Sequence, residues 1–189
     1  MKEKLHSYLN RYATFSENEI DLIYENLEVK TFLKKEFLLK ENSRCTYKYF
    51  ILKGVVRSFY NTPSGKEKIT QFAIDNWWVT NMESFVSESP SKQAIQAIEN
   101  TDVLCLSKKA LEKLYIKLPK LERVFRIIAE NMLIAVQRKN DVFLQMKSRE
   151  RYFDFITKLP NFAQRVPQYM LASYLEISPE YLSEIRKNT

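Results

Sequence analysis

The sequence has 189 residues, of which 45% are hydrophobic, enough for a packed core in one large domain or two small ones. Lysine and arginine number 30 against 23 aspartates and glutamates. The net charge of +7 favours a polyanionic partner such as nucleic acid or an anionic membrane face, with an ordinary basic surface as the alternative.

The sequence offers few metal ligands and no evident targeting segment. Two cysteines and one histidine argue against a disulfide scaffold and are too few for the usual four-ligand zinc or iron–sulfur sites, so we expect no metal and no cofactor. The opening MKEKLHSYLNRY lacks the apolar stretch of a signal peptide, and no run approaches about 18 apolar residues. We therefore expect a cytoplasmic protein that does not enter a membrane.

The first region begins with helix and continues as short strands. Ser16 and Glu19 form a capping box ahead of an apolar helical face. Gly54 interrupts a stretch rich in β-branched and aromatic residues and calls for a positive φ, while residues 63–65 predict a hairpin loop. After Val29, strand-like pieces contain Phe32, Phe37, Leu38 and Leu39, and further strand-like segments cover residues 49–60 with the break at Gly54, 68–74, 94–98 and 102–107. Many short strands separated by turns indicate a sandwich or a barrel-like roll.

One long helix is predicted next, beginning near Pro119 and extending roughly 43 Å at 1.5 Å per residue. Apolar residues along it alternate in steps of 3 and 4, as in a coiled-coil seam, with Lys139 as one polar member. This stripe either packs on the chain's own β-domain or pairs with a second copy; the length of the helix favours pairing. The predicted dimer seam consists of Phe125, Ile128, Met132, Ala135, Val142 and Met146.

The last region is helical again. One helix is expected to end near residues 159–160 and another to start near Pro167. A final helix should begin at Ser178, whose side chain is a good N-cap. The residues of this helix expected to pack inward are Tyr181, Leu182 and Ile185. A short helix, a tight turn and an anchored second helix are typical of a helix–turn–helix, with a plain αα-hairpin as the alternative.

The order of roll, long helix and helix–turn–helix resembles the cyclic-AMP receptor protein and fumarate–nitrate regulator (CRP/FNR) superfamily over nearly the whole chain. Residues 49–54, YFILKG, are similar to that family's strand–Lys-Gly–strand signature. Residues 64–67, SGKE, resemble its following hairpin, and residues 166–187 resemble its DNA-reading unit.

The resemblance implies an α+β fold in three parts. These are a cyclic-nucleotide-binding-like β-roll (jelly roll) over residues 1–117, a dimerisation helix over 118–147, and a helix–turn–helix of winged-helix type over 148–189. The wing is expected to be reduced, because residues 161–165 are a short stretch for its first strand and only Asn188 and Thr189 follow the recognition helix.

The same resemblance implies a homodimer that binds double-stranded DNA at a near-palindromic operator. Glu180 matches the family's usual acidic residue and could accept from a cytosine amino group. Pro179, Glu184 and the turn residue Glu176 depart from the family pattern, so sequence preference cannot be carried over. The candidate DNA-binding residues are Ser178, Pro179, Glu180, Ser183, Glu184, Arg186 and Lys187. Arg149, Arg151 and Arg165 are further candidates for phosphate contacts.

A small-molecule effector is also implied, but not cyclic AMP. The family's Gly-Glu position reads Thr80-Asn81, and its arginine position reads Ser91 with Lys92 beside it, so the phosphate-binding guanidinium is missing. Nearby aromatic residues either fill the core or line a pocket for an apolar or planar effector. The candidate effector residues are Phe72, Trp78, Thr80, Asn81, Phe85, Ser91 and Lys92.

Two other functions compete with a transcriptional regulator. An enzyme on a cupin-like roll would need metal ligands or an acid–base pair, and the single histidine argues against it. A protein–protein adaptor with a vestigial helix–turn–helix would accommodate the departures at Pro179, Glu176 and Glu184. We expect a regulator without catalytic residues.

Overall fold

The structure, a computed structural model, describes residues 1–187; Asn188 and Thr189 lie outside the described residues. The helices are α1 (Lys2–Leu9), α2 (Glu17–Glu25), α3 (Met82–Ser87), α4 (Lys108–Lys117), α5 (Pro119–Gln145), α6 (Ser148–Lys158), α7 (Pro160–Arg165), α8 (Gln168–Leu175) and α9 (Pro179–Lys187). The strands are β1 (Glu28–Phe32), β2 (Phe37–Leu39), β3 (Tyr47–Lys53), β4 (Val55–Asn61), β5 (Glu67–Ile74), β6 (Trp78–Val79), β7 (Ala94–Ala97) and β8 (Thr101–Ser107).

The chain divides into two compact units. The first comprises Met1–Ser58 and Phe72–Glu130, and the second comprises Phe59–Gln71 together with the chain from Asn131 onward. The boundaries pass through β4, β5 and α5, so the outer part of the β4–β5 hairpin belongs with the C-terminal helices.

The strands form two four-stranded sheets, ordered β1-β8-β3-β6 and β2-β7-β4-β5. The β1–β8, β3–β8, β3–β6 and β2–β7 pairs are all antiparallel. Strands that pair out of sequence order are typical of a jelly roll. The predicted α+β fold, with a β-roll followed by a long helix and further helices, is confirmed.

Gly54 turns the chain between β3 and β4, as its position in the sequence predicts. Its φ is +125°, and a Cβ there would collide with the side chain and backbone of Thr101. The Gly54 N–H donates to the Asp75 carboxylate over 2.7 Å. Glycine is therefore required both by the backbone conformation and by the close approach of a neighbouring strand.

Aromatic side chains connect the roll of the first unit to its flanking helices. Ring centroids of Tyr8 and Phe50 are 5.1 Å apart, those of Phe50 and Trp78 are 5.2 Å apart, and those of Trp78 and Phe125 are also 5.2 Å apart. Phe50 and Trp78 are register partners on β3 and β6, so they share one face of the sheet. This face is covered by α1 and by the first part of α5.

The C-terminal helices of the second unit have their own small core. Its buried members are Tyr152, Leu171, Ala172, Leu175, Leu182 and Ile185. The predicted wing is corrected here, because residues 160–165 form the helix α7 and no strand occurs in the described residues from 148 to 187. Pro160 opens that helix, where its missing N–H costs no hydrogen bond.

Within residues 1–187, no helix is both long enough and apolar enough to cross a membrane.

Gly54→Ala should lower the free energy of unfolding by about 3 kcal/mol, because positive-φ strain adds to steric overlap with Thr101. Gly65→Ala is the matched control: Gly65 also has positive φ, +77°, but nothing lies within 4 Å of a Cβ there. It should cost only about 1 kcal/mol. Urea unfolding of the two variants measures the difference, and equal losses would contradict the packing argument.

Candidate functional site

The turn between α8 and α9 is closed by Glu176 in a left-handed conformation. Its φ and ψ are 57° and 46°, a region that glycine adopts more easily. The Ile177 N–H donates to the Ala172 carbonyl over 3.0 Å, which satisfies one of the last carbonyls of α8. The tight turn thus forms although Glu176 departs from the family pattern at this position.

Ser178 caps α9, as predicted. Its hydroxyl accepts a hydrogen bond from the Tyr181 N–H over 3.1 Å, and Pro179 follows as the first helical residue. Leu182 and Ile185 are buried. The prediction that Tyr181 packs inward is wrong, because its side chain is 40% exposed and lies on the outer side of the first turn.

All seven candidate DNA-binding residues are exposed, and they lie on one short helix and its cap. Along α9, Glu180 lies in the first turn, Glu184 lies past the middle of the helix, and Arg186 and Lys187 lie in the last turn. The N-terminal end, where the helix dipole is positive, thus carries a carboxylate, and the C-terminal end carries two cations.

The Glu180 carboxylate is held at the start of α9. Hydrogen bonds from its own backbone N–H and from the Ser178 hydroxyl lower the pKa of this carboxyl, and the charge of Lys66 acts in the same direction. In the absence of a partner, Glu180 therefore supplements the cap. To accept from a base it would have to exchange these bonds for new ones.

Arg151, a predicted phosphate contact, forms its hydrogen bonds within the second unit. Its guanidinium donates to the Met146 carbonyl over 3.2 Å, to the Ser148 hydroxyl over 3.1 Å and to the Leu175 carbonyl over 3.2 Å. It also lies 4.7 Å from the ring centroid of Phe143. Arg151 ties the end of α5 to the start of α6 and the end of α8, which corrects the prediction.

The predicted effector residues lie in the first unit, where their polar groups bond to one another and to nearby backbone. The Asn81 side chain caps α3 by accepting from the Ser84 N–H over 2.9 Å, and it donates to Gln93 over 3.1 Å. The Ser91 hydroxyl donates to the Gln93 carbonyl over 2.8 Å, and the Thr80 hydroxyl donates to the Tyr47 carbonyl over 3.0 Å. The start of α3, where an anion would find free N–H groups, is thus occupied by Asn81.

The remaining predicted effector residues are divided between core and surface. Phe72, Trp78 and Phe85 are buried, whereas Lys92 is exposed. The Trp78 indole N–H is buried and has no hydrogen-bond partner within the described part of the chain.

Lys48 is a residue of this region that the sequence prediction omitted. Its Nζ lies 4.7 Å from the ring centroid of Phe85 and 5.9 Å from that of Phe125, and burial lowers the pKa of its ammonium group. The sequence does show a lysine between two tyrosines on β3. Only the structure shows that its side chain lies on the same side of the strand as Phe85 and Phe125.

The predicted dimer seam does not form one exposed face of α5. Phe125 and Ile128 are buried in the first unit, while Met132, Val142 and Met146 are half-buried and Ala135 is exposed. The exposed large apolar side chains of this helix are Leu133, Ile134, Val136 and Leu144.

Among residues 1–187, no cluster of three or more histidine, cysteine, aspartate or glutamate side chains is arranged to hold a metal ion.

Three comparisons place these features among known proteins. Residues 29–117 match the family described as "Cyclic nucleotide-binding domain". No curated protein matches the chain in sequence. Many solved structures are similar.

One of these structures is FixK2 from Bradyrhizobium japonicum, which is 18% identical with a TM-score of 0.75 over 86% of this chain and 83% of its own. A second is CLP from Xanthomonas campestris, a c-di-GMP-responsive global regulator, which is 13% identical with a TM-score of 0.75 over 92% of this chain and 91% of its own. The catabolite activator protein of Thermus thermophilus is 18% identical with a TM-score of 0.61 over 96% and 85%. At these identities the similarity establishes the fold.

Ser178→Ala should fray the start of α9, because its hydroxyl is the acceptor for the Tyr181 N–H. Losing a serine cap costs about 1 kcal/mol, so amides of the first turn of α9 should exchange about fivefold faster without DNA. Ser183→Ala removes an exposed serine of the same helix and serves as the control. Equal exchange in both variants would contradict the capping role.

Proposed function

We propose that the protein is a homodimeric, DNA-binding transcriptional regulator, because residues 29–117 match the cyclic nucleotide-binding domain family and the chain has the fold of CRP/FNR regulators. The proposal rests mainly on how α9, the second helix of the α8–α9 pair, is held in the structure. Its apolar residues are anchored in the core of the unit, while every candidate contact residue on this helix and its cap remains exposed. A helix held in this way can enter the major groove without losing its packing.

Affinity would come mainly from cations that neutralise phosphates. Arg186 and Lys187 are exposed in the last turn of α9, and Arg149 is exposed at the start of α6. With a net charge of +7, the whole chain is attracted to a polyanion before any specific contact forms.

Base discrimination would come from the exposed carboxylates of α9. A carboxylate accepts hydrogen bonds and offers none when ionised, so Glu180 and Glu184 would favour exposed cytosine amino groups and disfavour guanine edges. The low pKa of Glu180 keeps it ionised at neutral pH. The exposed ring of Tyr181 adds an apolar surface beside them, suited to contact with a thymine methyl group.

Pairing of two copies is supported by an exposed apolar stripe on α5. Leu133, Val136 and Leu144 are 59%, 65% and 76% exposed, and together with Asn140 they follow one another in steps of 3, 4 and 4. At about 100° per residue these positions fall within a quarter of the helix circumference. An apolar stripe in contact with water favours association, and the polar Asn140 that interrupts it would set the register of the pair.

This stripe lies about a third of a turn around α5 from the seam predicted from sequence. Phe125 and Ile128 are buried within the first unit and cannot contact a second copy. We therefore propose that the exposed stripe forms the dimer seam. A symmetric pair would place its recognition helices to read two half-sites about 34 Å apart, hence a near-palindromic operator.

The effector would be a molecule other than cyclic AMP. Asn81 already caps the helix that a cyclic phosphate would approach, and Lys92 could supply only a single point charge. A ligand carrying a hydrogen-bond acceptor could instead satisfy the buried Trp78 indole N–H.

The DNA-binding mode predicts a steep dependence on salt. The logarithm of the binding constant for a mixed-sequence duplex should fall with the logarithm of salt concentration by about 0.9 per neutralised phosphate. Lys187→Gln should lower that slope by about 1, whereas Lys158→Gln, on a surface lysine paired with Asp154, should leave it unchanged. A flat titration of the unaltered chain would contradict this mode and favour the adaptor alternative.

The double substitution Leu133→Glu and Val136→Glu should produce monomers, because four carboxylates would face one another across the pair. The matched control is Ile116→Glu with Val86→Glu, which adds the same charge at two other exposed apolar positions, 82% and 61% exposed. Sedimentation velocity separates the outcomes. A stripe variant that stays dimeric, or a control that dissociates, would overturn the proposed seam.

A further inference from the structure

The outer part of the β4–β5 hairpin contacts the first helix of the helix–turn–helix through a serine. The Ser173 hydroxyl on α8 accepts from the Ile69 N–H over 3.1 Å and donates to the Glu67 carbonyl over 2.9 Å. One side chain thereby pairs with both a donor and an acceptor of β5, as a neighbouring strand would.

A lysine completes the same contact from the long helix. Lys139 Nζ donates to the Thr70 carbonyl over 2.9 Å and lies 4.0 Å from the ring centroid of Tyr174 on α8. Three elements of the second unit, α5, the hairpin and α8, therefore meet at one ammonium group. Lys68 and Glu176 add an ion pair of 2.9 Å between the hairpin and the turn after α8.

We propose that Ser173 and Lys139 are positioning residues for DNA binding, which hold α8 against the hairpin and thereby hold the recognition helix. This inference rests on the proposed function. Leu171 and Leu175 of α8 share a core with Leu182 and Ile185 of α9, so a constraint on α8 is transmitted to α9 by packing. The hairpin in turn continues along β4 and β5 into the unit that contains the candidate effector residues.

The junction is coupled to protonation of Lys139. Burial lowers the pKa of this ammonium to about 8, with Glu176 acting to raise the pKa and Lys68 acting to lower it. Partial burial of Tyr174 raises the pKa of its phenol. Besides Lys68, Arg151 is a further nearby cation, since it lies over the Phe143 ring that Lys139 also faces.

The sign of the pH effect follows from comparing the closed and open junction. When the junction opens, Lys139 reaches water and regains an ordinary pKa near 10.5. Between about pH 8 and 10 the closed form therefore binds fewer protons than the open form. Raising the pH through this range should favour the closed junction, by at most about tenfold per pH unit for one proton.

Hydrogen exchange of the Ile69 amide in the full chain tests the junction directly, because this amide donates to Ser173. After correction for intrinsic exchange, protection should rise several-fold from pH 7.5 to 9.5. Lys139→Met should abolish this rise, and Lys158→Met should keep it. Ser173→Ala should lose at least tenfold in protection at every pH, and Ser173→Thr, which keeps the hydroxyl, should recover part of it.

The positioning role is tested on a duplex that the unaltered chain enriches from a random pool. Ser173→Ala should weaken binding by about fivefold or more, and Ser173→Thr should recover part of the loss. Unchanged Ile69 protection in Ser173→Ala would refute the junction, whatever the DNA result. Equal affinity of Ser173→Ala and the unaltered chain would refute positioning. If the unaltered chain enriches no duplex, the proposed function and the positioning role fail together, while the exchange data still decide whether the junction exists.

Discussion

The apolar stripe of α5 is the constraint on which the functional account depends. A single copy leaves Leu133, Val136 and Leu144 in water, although the same helix buries Leu121, Val124 and Ile128 in its first part. Burying apolar area contributes about 25 cal/mol per Å², so a second copy of this stripe is a chemically matched partner. If two copies pair as we propose, the symmetric pair would carry two α9 helices and would require an operator with matching symmetry.

The chemistry of α9, the proposed recognition helix, differs along its length. Its start combines a serine cap, a carboxylate held by that cap and an exposed tyrosine ring, whereas its end carries Arg186 and Lys187. Carboxylates repel the phosphate backbone, so carboxylates that discriminate among bases would also weaken the binding of DNA. The hairpin contact through Ser173 would limit how much α8, and hence α9, can reorient before it reaches DNA.

Much of the fold was predictable because local signals agreed with it. The capping box at Ser16 and Glu19 is formed, Gly54 has positive φ, and Ser178 caps the last helix. Each of these predictions depends on a few neighbouring residues, for which backbone geometry leaves few choices. The order of roll, long helix and helix–turn–helix could be predicted from such local signals as well.

The errors arose where tertiary contacts decide between equivalent local patterns. Apolar residues occur on more than one side of α5, so a spacing of 3 and 4 fits two faces, and only packing shows that Phe125 and Ile128 belong to the roll's unit. Lys139 fitted the predicted seam as a polar member, yet it donates to Thr70, a residue 69 positions away. Arg151 was predicted to contact phosphate. The sequence could not show that its guanidinium donates to the Leu175 carbonyl at the end of another helix, α8.

The central claim is that two copies, joined along α5, present two α9 helices to DNA. Selection of bound duplexes from a random pool by the full-length chain tests it most directly. The recovered sequences should have inverted-repeat symmetry and half-site centres about one helical turn, roughly 34 Å, apart. Enrichment of single unpaired half-sites, or no enrichment above the starting pool, would contradict it.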